Sequence, residues 1–261
     1  MNSNTEHTAD NVNEIETCQP IAEQGKASAL IEYRDEIADG CMTKYAYGCS
    51  RERKPGRLLY RFFKRVFDIV FSLIVLIVGF VPSIVLCLFI FKDTHAAPIY
   101  TQKRVGMHGK HFTIYKFRTM VADSDEIEKH LSKEQLNQWF SEHKVDNDPR
   151  ITPLGHILRR TSIDEIPNFI NVLKGDMSIV GPRAISEEEL HWFGNSLDDL
   201  LSVPAGITGW WQVSKRNEAT FESGERQSLE LYYVYNAGLI LDLRIICATF
   251  GTMFGRKATG R

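Results

Sequence analysis

Two adjacent carboxylates, Asp164 and Glu165, stand among three arginines in the stretch RRTSIDEIPNFINVLKGDMSIVGPR, residues 159–183. Arginine forks match phosphate oxygens, and Arg183, in a Gly-Pro turn, is held stiffly. Ser162 followed by Glu165 fits a capping box, a purely structural use of one carboxylate. Pro167 disfavours that register, because with Ser162 as N-cap its missing N–H falls past the free donors. With Asp164 as N-cap, Pro167 falls where no donor is needed. Ile163, Ile166, Ile170 and Leu173 then face the core, while Asp164 and Asn168 share the other side. Asp164 would stand at a helix N-terminus, where free N–H groups and the dipole attract anions. Two uses stay open on these residues: Asp164 as a plain cap with Arg159, Arg160 and Arg183 in surface ion pairs, or a carboxylate pair set against bound phosphate.

Such a site needs elements to carry it. Residues 99–118 alternate as two strands joined at His108-Gly109, a hairpin turn pair. The glycines and Lys110 suggest a phosphate loop, but His111 stands where Ser or Thr belongs, so a turn is the better reading. Residues 122–144 fit one exposed, charged helix.

Upstream, Ile69 to Phe91 is uncharged and apolar, roughly 35 Å as a straight helix against a hydrocarbon core of about 30 Å. Pro82 interrupts it, so a kink is expected there. Arg51, Arg53, Lys54, Arg57, Arg61, Lys64 and Arg65 precede it, and Lys92, Lys103, Arg104, Lys110, Lys116 and Arg118 follow. Basic residues collect on the cytoplasmic side, and one spanning helix cannot put both ends there. A re-entrant helix bent at Pro82 can, although a kinked spanning helix also satisfies the membrane rules. Either way the chain sits in a membrane, and its basic flanks favour an anionic leaflet. Nucleic acid is the weaker partner for that charge, because no reading motif accompanies it.

The chain has 261 residues and a formal net charge of −2, so its averages exclude little. Residues 1–50 are polar and acidic without periodicity, a composition that stays disordered, and carry no secretory-signal pattern. Five cysteines, Cys18, Cys41, Cys49, Cys87 and Cys247, lack metal-ligand spacing and fit free thiols in a reducing compartment.

The segments KRVFD (64–68), the proline-broken membrane helix, QKRVG (102–106), FTIYKFRTM (112–120), DPRIT (148–152), LRRTSIDEIPNFINVLKGDMSIVGPR (158–183), PAGITGWWQV (204–213) and LDLRI (241–245) follow one another along the chain. In that order they resemble the bacterial sugar transferase family. They cover roughly residues 57 to 250. The resemblance implies a monotopic phosphoglycosyl transferase that starts assembly of capsule, exopolysaccharide or related glycans. It would move a sugar-1-phosphate from a UDP-sugar to polyprenyl (undecaprenyl) phosphate and release UMP. It further implies Asp164 as nucleophile forming an aspartyl-phosphosugar, Glu165 as its dyad partner, and Mg²⁺ held by Asp164 and Glu165. Arg118, Arg160 and Arg183 would line the phosphate site, with Arg104, Pro182 and Asp176 completing the substrate-binding set. Pro82 would be the kink of a re-entrant helix.

A carboxylate is a workable nucleophile toward phosphorus, and phosphoryl transfer needs mostly positioning and charge neutralisation. Val81 stands where the family often has Ser, Ala184 where it often has Pro, and Glu230 where Asp is usual; WWQVSKRN (210–217) also departs from the common pattern. The expected architecture is α+β, mostly helical with a small β-hairpin or sheet. Residues 1–55 form a disordered tail, 56–95 the basic flank and re-entrant helix, and 96–261 a membrane-apposed catalytic body at the cytoplasmic face of the bacterial inner membrane. UDP-glucose and UDP-galactose lead as donors, and a homodimer is a possible state. Two rivals are a glycosyltransferase that releases UDP and a membrane adaptor whose dyad is only structural.

Overall fold

A computed structural model describes residues 57–142, 145–215 and 219–254. The tail expected over residues 1–55 lies outside the described residues, as does part of WWQVSKRN. Helix α1, Arg57–Thr94, runs for 38 residues with helical backbone on both sides of Pro82. It is long and apolar enough to cross a membrane. One face turns inward at helical spacing: Asp68, Ser72, Ile90 and Thr94 are buried. On the other, Ile77, Val78, Phe80, Val81 and Leu88 are 64–73 % exposed, an apolar surface too extensive for a water-facing helix.

The body touches α1 along its length. Near the first end Lys64 pairs with Asp242 at 2.8 Å, Arg65 donates to the Val172 and Leu173 carbonyls, and Asp68 accepts the Ile179 N–H. Phe71 meets Phe169. Gly79 lies beside Ile166. At the far end Leu86, Cys87 and Ile90 pack with Phe117, Leu158, Ile163 and Ile166.

Strands β1, Ile99–Val105, and β2, His111–Phe117, form the expected antiparallel hairpin, with Tyr100 opposite Lys116 and Arg104 opposite Phe112. His108 and Gly109 both take positive φ, 58° and 74°, as the turn reading requires. Residues 122–144 differ from the single helix expected there. Helices α2, Ile127–His130, and α3, Lys133–Glu142, are separate. Leu131 turns inward between them, and Ser132 and Gln135 exchange a capping pair that starts α3 afresh.

Helix α4, Pro153–Thr161, is capped by Thr152 and stops at Ser162, whose φ of 55° is left-handed. The carboxylate segment then departs from the register expected for it. Ile163–Asn168 is a 3-10 turn, and helix α5 begins only at Phe169 and runs to Lys174. Ser162, not Asp164, stands at the N-cap position and makes no side-chain cap bond. From a start at Ser162, an α register would set the Pro167 ring against the Ile163 carbonyl four residues back, so the chain takes the tighter turn.

Parallel strands β3, Met177–Val180, and β4, Ala205–Thr208, are linked by the 3-10 helix Glu187–Ser196 and the short helix α6, Leu197–Leu200. Helices α7, Trp210–Ser214, α8, Glu225–Asn236, and α9, Leu239–Phe254, complete the body. One core gathers Phe112, Val172, Ile179, Tyr233 and Ile245, and another gathers Trp192, Phe193, Phe221 and Leu231. The mostly helical architecture with small sheets agrees with expectation.

Candidate active site

The face of the hairpin that carries Phe112, Ile114 and Lys116 also carries Tyr100, Gln102 and Arg104. Lys116 and Arg104 stand at its two ends, about 13 Å apart along the strand. The 3-10 turn and helix α5 dock on the free edge of β2 through one asparagine each. Asn168 accepts the Tyr115 N–H at 3.2 Å, and Asn171 donates to the Thr113 carbonyl at 2.7 Å. Those strand groups point away from β1, so the amide side chains stand in for a third strand.

That docking places Glu165 against Lys116, Nζ to Oε1 at 2.7 Å, with both side chains partly covered. Asp164 is 8 % exposed. Arg159, one turn back on α4, lies near enough to Asp164 and Asp148 for both to favour its charged form. Burial, together with Arg150 and Arg183, pulls the Arg159 guanidinium down. Its Nε donates to Thr119 Oγ1 at 2.9 Å. Helix α4 can sit that close because Gly155 passes the Thr119 carbonyl with no room for a Cβ, which would lie 2.0 Å from it.

The second cationic group forms around the Gly-Pro-Arg turn. Gly181 N–H donates to Thr208 O at 2.9 Å and Gly206 N–H to Pro182 O at 2.7 Å. Arg183 N–H donates to Glu230 Oε2 at 3.1 Å. Arg183 is close enough to Arg104 and to Arg159 to lower the proton affinity of both, so it links the two groups. Arg104 donates to Glu189 at 2.9 Å, and Arg226 reaches the same carboxylate at 3.5 Å while lying over Trp211 and Phe221. Burial works to raise the Glu189 carboxyl, but Arg226, Arg183 and Arg104 outweigh it and hold it at about 2. Burial pushes Glu230 up to about 7.

The fold thus brings Asp164, Glu165, Arg183, Pro182 and Arg104 onto one side of the hairpin and turn. Arg118 directly follows β2, donating to the Ala97 carbonyl and lying over Tyr100. Arg160 points outward on α4 and is exposed. Asp176 lies at the opposite end of α5 from the carboxylate pair, its N–H bonded to the Asn171 carbonyl. Sequence reasoning did not single out Lys116, Glu189 or Arg226 as site residues. Lys116 has a legible signal, since alternation puts this charged residue on the same face as buried Phe112 and Ile114. Among the described residues no three His, Cys, Asp or Glu side chains cluster as a metal cage.

The chain is similar in sequence to several known proteins. A profile described as bacterial sugar transferase matches residues 59–256. Undecaprenyl-phosphate galactose phosphotransferase of Salmonella typhimurium is 43% identical over 192 residues, 72% of this chain and 40% of that protein. Exopolysaccharide production protein ExoY of Rhizobium meliloti is 34% identical over 190 residues, 71% of this chain and 83% of that protein. UDP-glucose:undecaprenyl-phosphate glucose-1-phosphate transferase of Escherichia coli is 35% identical over 208 residues, 76% of this chain and 41% of that protein. The chain therefore spans about two fifths of the length of the first and third of these relatives and most of the second.

Proposed function

The chain belongs to the bacterial sugar transferase family, and on that premise we propose that it transfers a hexose-1-phosphate from a UDP-sugar to undecaprenyl phosphate, releasing UMP. The observation that carries this reading is the buried Asp164, beside Arg159 and next to a Glu165 held by Lys116, on a turn that packs against α1. An Asp164 carboxylate oxygen attacks the sugar-bearing phosphorus. The bond from that phosphorus to the bridging oxygen breaks, and UMP leaves with the electron pair. An oxygen of undecaprenyl phosphate then attacks the same phosphorus, giving the lipid-diphosphate sugar and freeing Asp164. Arg159, Arg183 and Arg104 neutralise phosphate charge, the main demand of phosphoryl transfer. The covalent intermediate lets a water-soluble donor and a lipid acceptor use one site in turn.

Mg²⁺ fits the donor set, because it binds one or two carboxylates together with substrate phosphates rather than an all-protein cage. Asp164 and Glu165 would hold it, and when bound it would offset charge on the donor diphosphate. Glucose and galactose are the donor sugars favoured, since relatives named for each are similar along the matched region.

Helix α1 is read as re-entrant, with the body at the cytoplasmic face of the inner membrane. The support is that both ends of α1 touch the same body, whereas a spanning helix puts its ends on opposite sides. Ile157, Ile170, Leu239, Ile240 and Leu243 add exposed apolar surface outside α1. The test uses full-length protein in nanodiscs with Mg²⁺, undecaprenyl phosphate and a panel of UDP-sugars, following UMP and UDP separately. UMP release with one sugar, abolished by Asp164→Asn, is expected. UDP release would replace this reading with ordinary glycosyl transfer, and no nucleotide release would favour an adaptor.

A further inference from the structure

One buried carboxyl has no part in the chemistry above. Glu230, midway along α8, is 2 % exposed; its Oε2 accepts the Arg183 main-chain N–H, and its Oε1 has no partner among the described residues. Burying a carboxyl is costly and is retained only where a specific partner offsets it. The partner here completes an account of the Gly-Pro-Arg turn. Gly181 N–H goes to Thr208, the Pro182 carbonyl takes Gly206 N–H, and proline has no donor of its own. Arg183 N–H is the donor that β4 leaves over, and Glu230 reaches it from the other side.

We infer that Glu230 is a positioning residue for Arg183: its carboxyl fixes the main chain from which that guanidinium extends, and so sets where Arg183 meets the diphosphate of the donor. This rests on the reading of Arg183 as a phosphate ligand. Four charged groups face Glu230: Arg226 from α8, Arg183 from the turn, Glu189 from the 3-10 helix, and Arg104 of β1 behind Glu189. Burial drives its pKa to about 7 against the pull of Arg226 and the Arg183 N–H, while Glu189 raises it further. Either form keeps the hold, since a protonated carboxyl still accepts through its carbonyl oxygen. An anion seated on Arg183 adds negative charge nearby and favours the neutral form. Donor binding then draws a proton onto Glu230, and affinity falls as pH rises through 7.

Binding of UDP-glucose, whose diphosphate does not titrate near neutrality, tests this by calorimetry on full-length protein in nanodiscs. An Asp164→Asn background prevents turnover. Glu230→Ala orphans the Arg183 N–H and is expected to weaken binding about tenfold or more. Glu230→Gln keeps the acceptor, so it should bind within about threefold of the parent at pH 6 and lose the pH dependence between 6 and 8. Glu230→Asp, one methylene short of the N–H, should fall between them. In an Arg183→Ala background none of the three should change affinity further, a coupling that a merely structural role would not produce. Native affinity in Glu230→Ala, or an equal loss with and without the Arg183 guanidinium, overturns the inference alone. If Arg183→Ala binds UDP-glucose normally, the phosphate role of Arg183 falls first and takes this inference with it. Should Glu230→Ala fail to fold, the Gln and Asp variants in both backgrounds decide the same question.

Discussion

Gly206 is where the fold leaves the least room, and Gly206→Ala is the most direct probe of how the Gly-Pro-Arg turn is held. A Cβ at this position would lie 2.1 Å from Gly181 N, 2.5 Å from Thr208 O and 2.6 Å from Gly181 Cα. All three are main-chain atoms, so no rotamer change relieves the clash and β4 must move away from the turn. Overpacking of this kind costs about 1–3 kcal/mol. Stretching the 2.7 Å bond from Gly206 N–H to Pro182 O adds about 1 kcal/mol. A loss near 3 kcal/mol lowers the melting midpoint by about 6–12 °C in a body of this size. Arg183 moves with the turn, and a shift of about 1 Å in such a group can cost about 100-fold in rate. Thermal melts and UMP release would be measured beside Gly251→Ala on α9, whose Cβ meets nothing within 4 Å. That comparator should gain about 0.5–1 kcal/mol from helix propensity. A Gly206→Ala protein that melts with the comparator and releases UMP at the native rate would refute the close backbone approach.

Lys116→Met keeps the apolar stem but removes the ammonium from Glu165, and UMP release should fall about 100-fold or more, with Lys116→Arg recovering part. Asn171→Leu leaves the partly buried Thr113 carbonyl without its donor and should cost about 1–3 kcal/mol in a denaturant melt, with a smaller effect on donor affinity. Stability against pH should rise and then decline. Glu189, held at about 2 against an ordinary 4.5, contributes stability above 4.5 that is lost as pH falls toward 2. Glu230, raised to about 7 from the same 4.5, contributes stability below 4.5 that is lost as pH rises through 7. Melting midpoints across pH should therefore show an alkaline decline that Glu230→Gln flattens; an unchanged decline would remove Glu230 as its source.

Several elements were legible because their signals are local. The alternation of residues 99–118 around His108-Gly109 specifies a hairpin, and both turn residues adopt the left-handed backbone that such a connection uses. The apolar run from Ile69 to Phe91 specifies a helix suited to lipid, and α1 carries that surface along one side. The carboxylate segment was read in the wrong register because the turn starts at Ser162, where α4 ends, and not at Asp164. From that start Pro167 keeps the turn in its tighter form and delays the helix to Phe169. The single helix expected over 122–144 was broken by Ser132, which pairs with Gln135 as a fresh cap.

The sequence by itself determined which groups this chain can bring to phosphate: a carboxylate pair, a set of arginines and a stiff Gly-Pro turn, beside a helix that water does not suit. Those properties follow from residue type and short-range spacing. Which arginine meets which carboxylate was decided only by tertiary structure. Arg159 and Arg160 are neighbours in the chain, yet α4 turns Arg159 toward Asp164 and leaves Arg160 outside. Glu189 and Glu230 look alike in sequence. One is enclosed by three cations and stays ionised, while the other is buried under the Arg183 main chain and holds its proton to about 7. A side chain's protonation and aim depend on what long-range packing places around it, and spacing along the chain does not encode that directly.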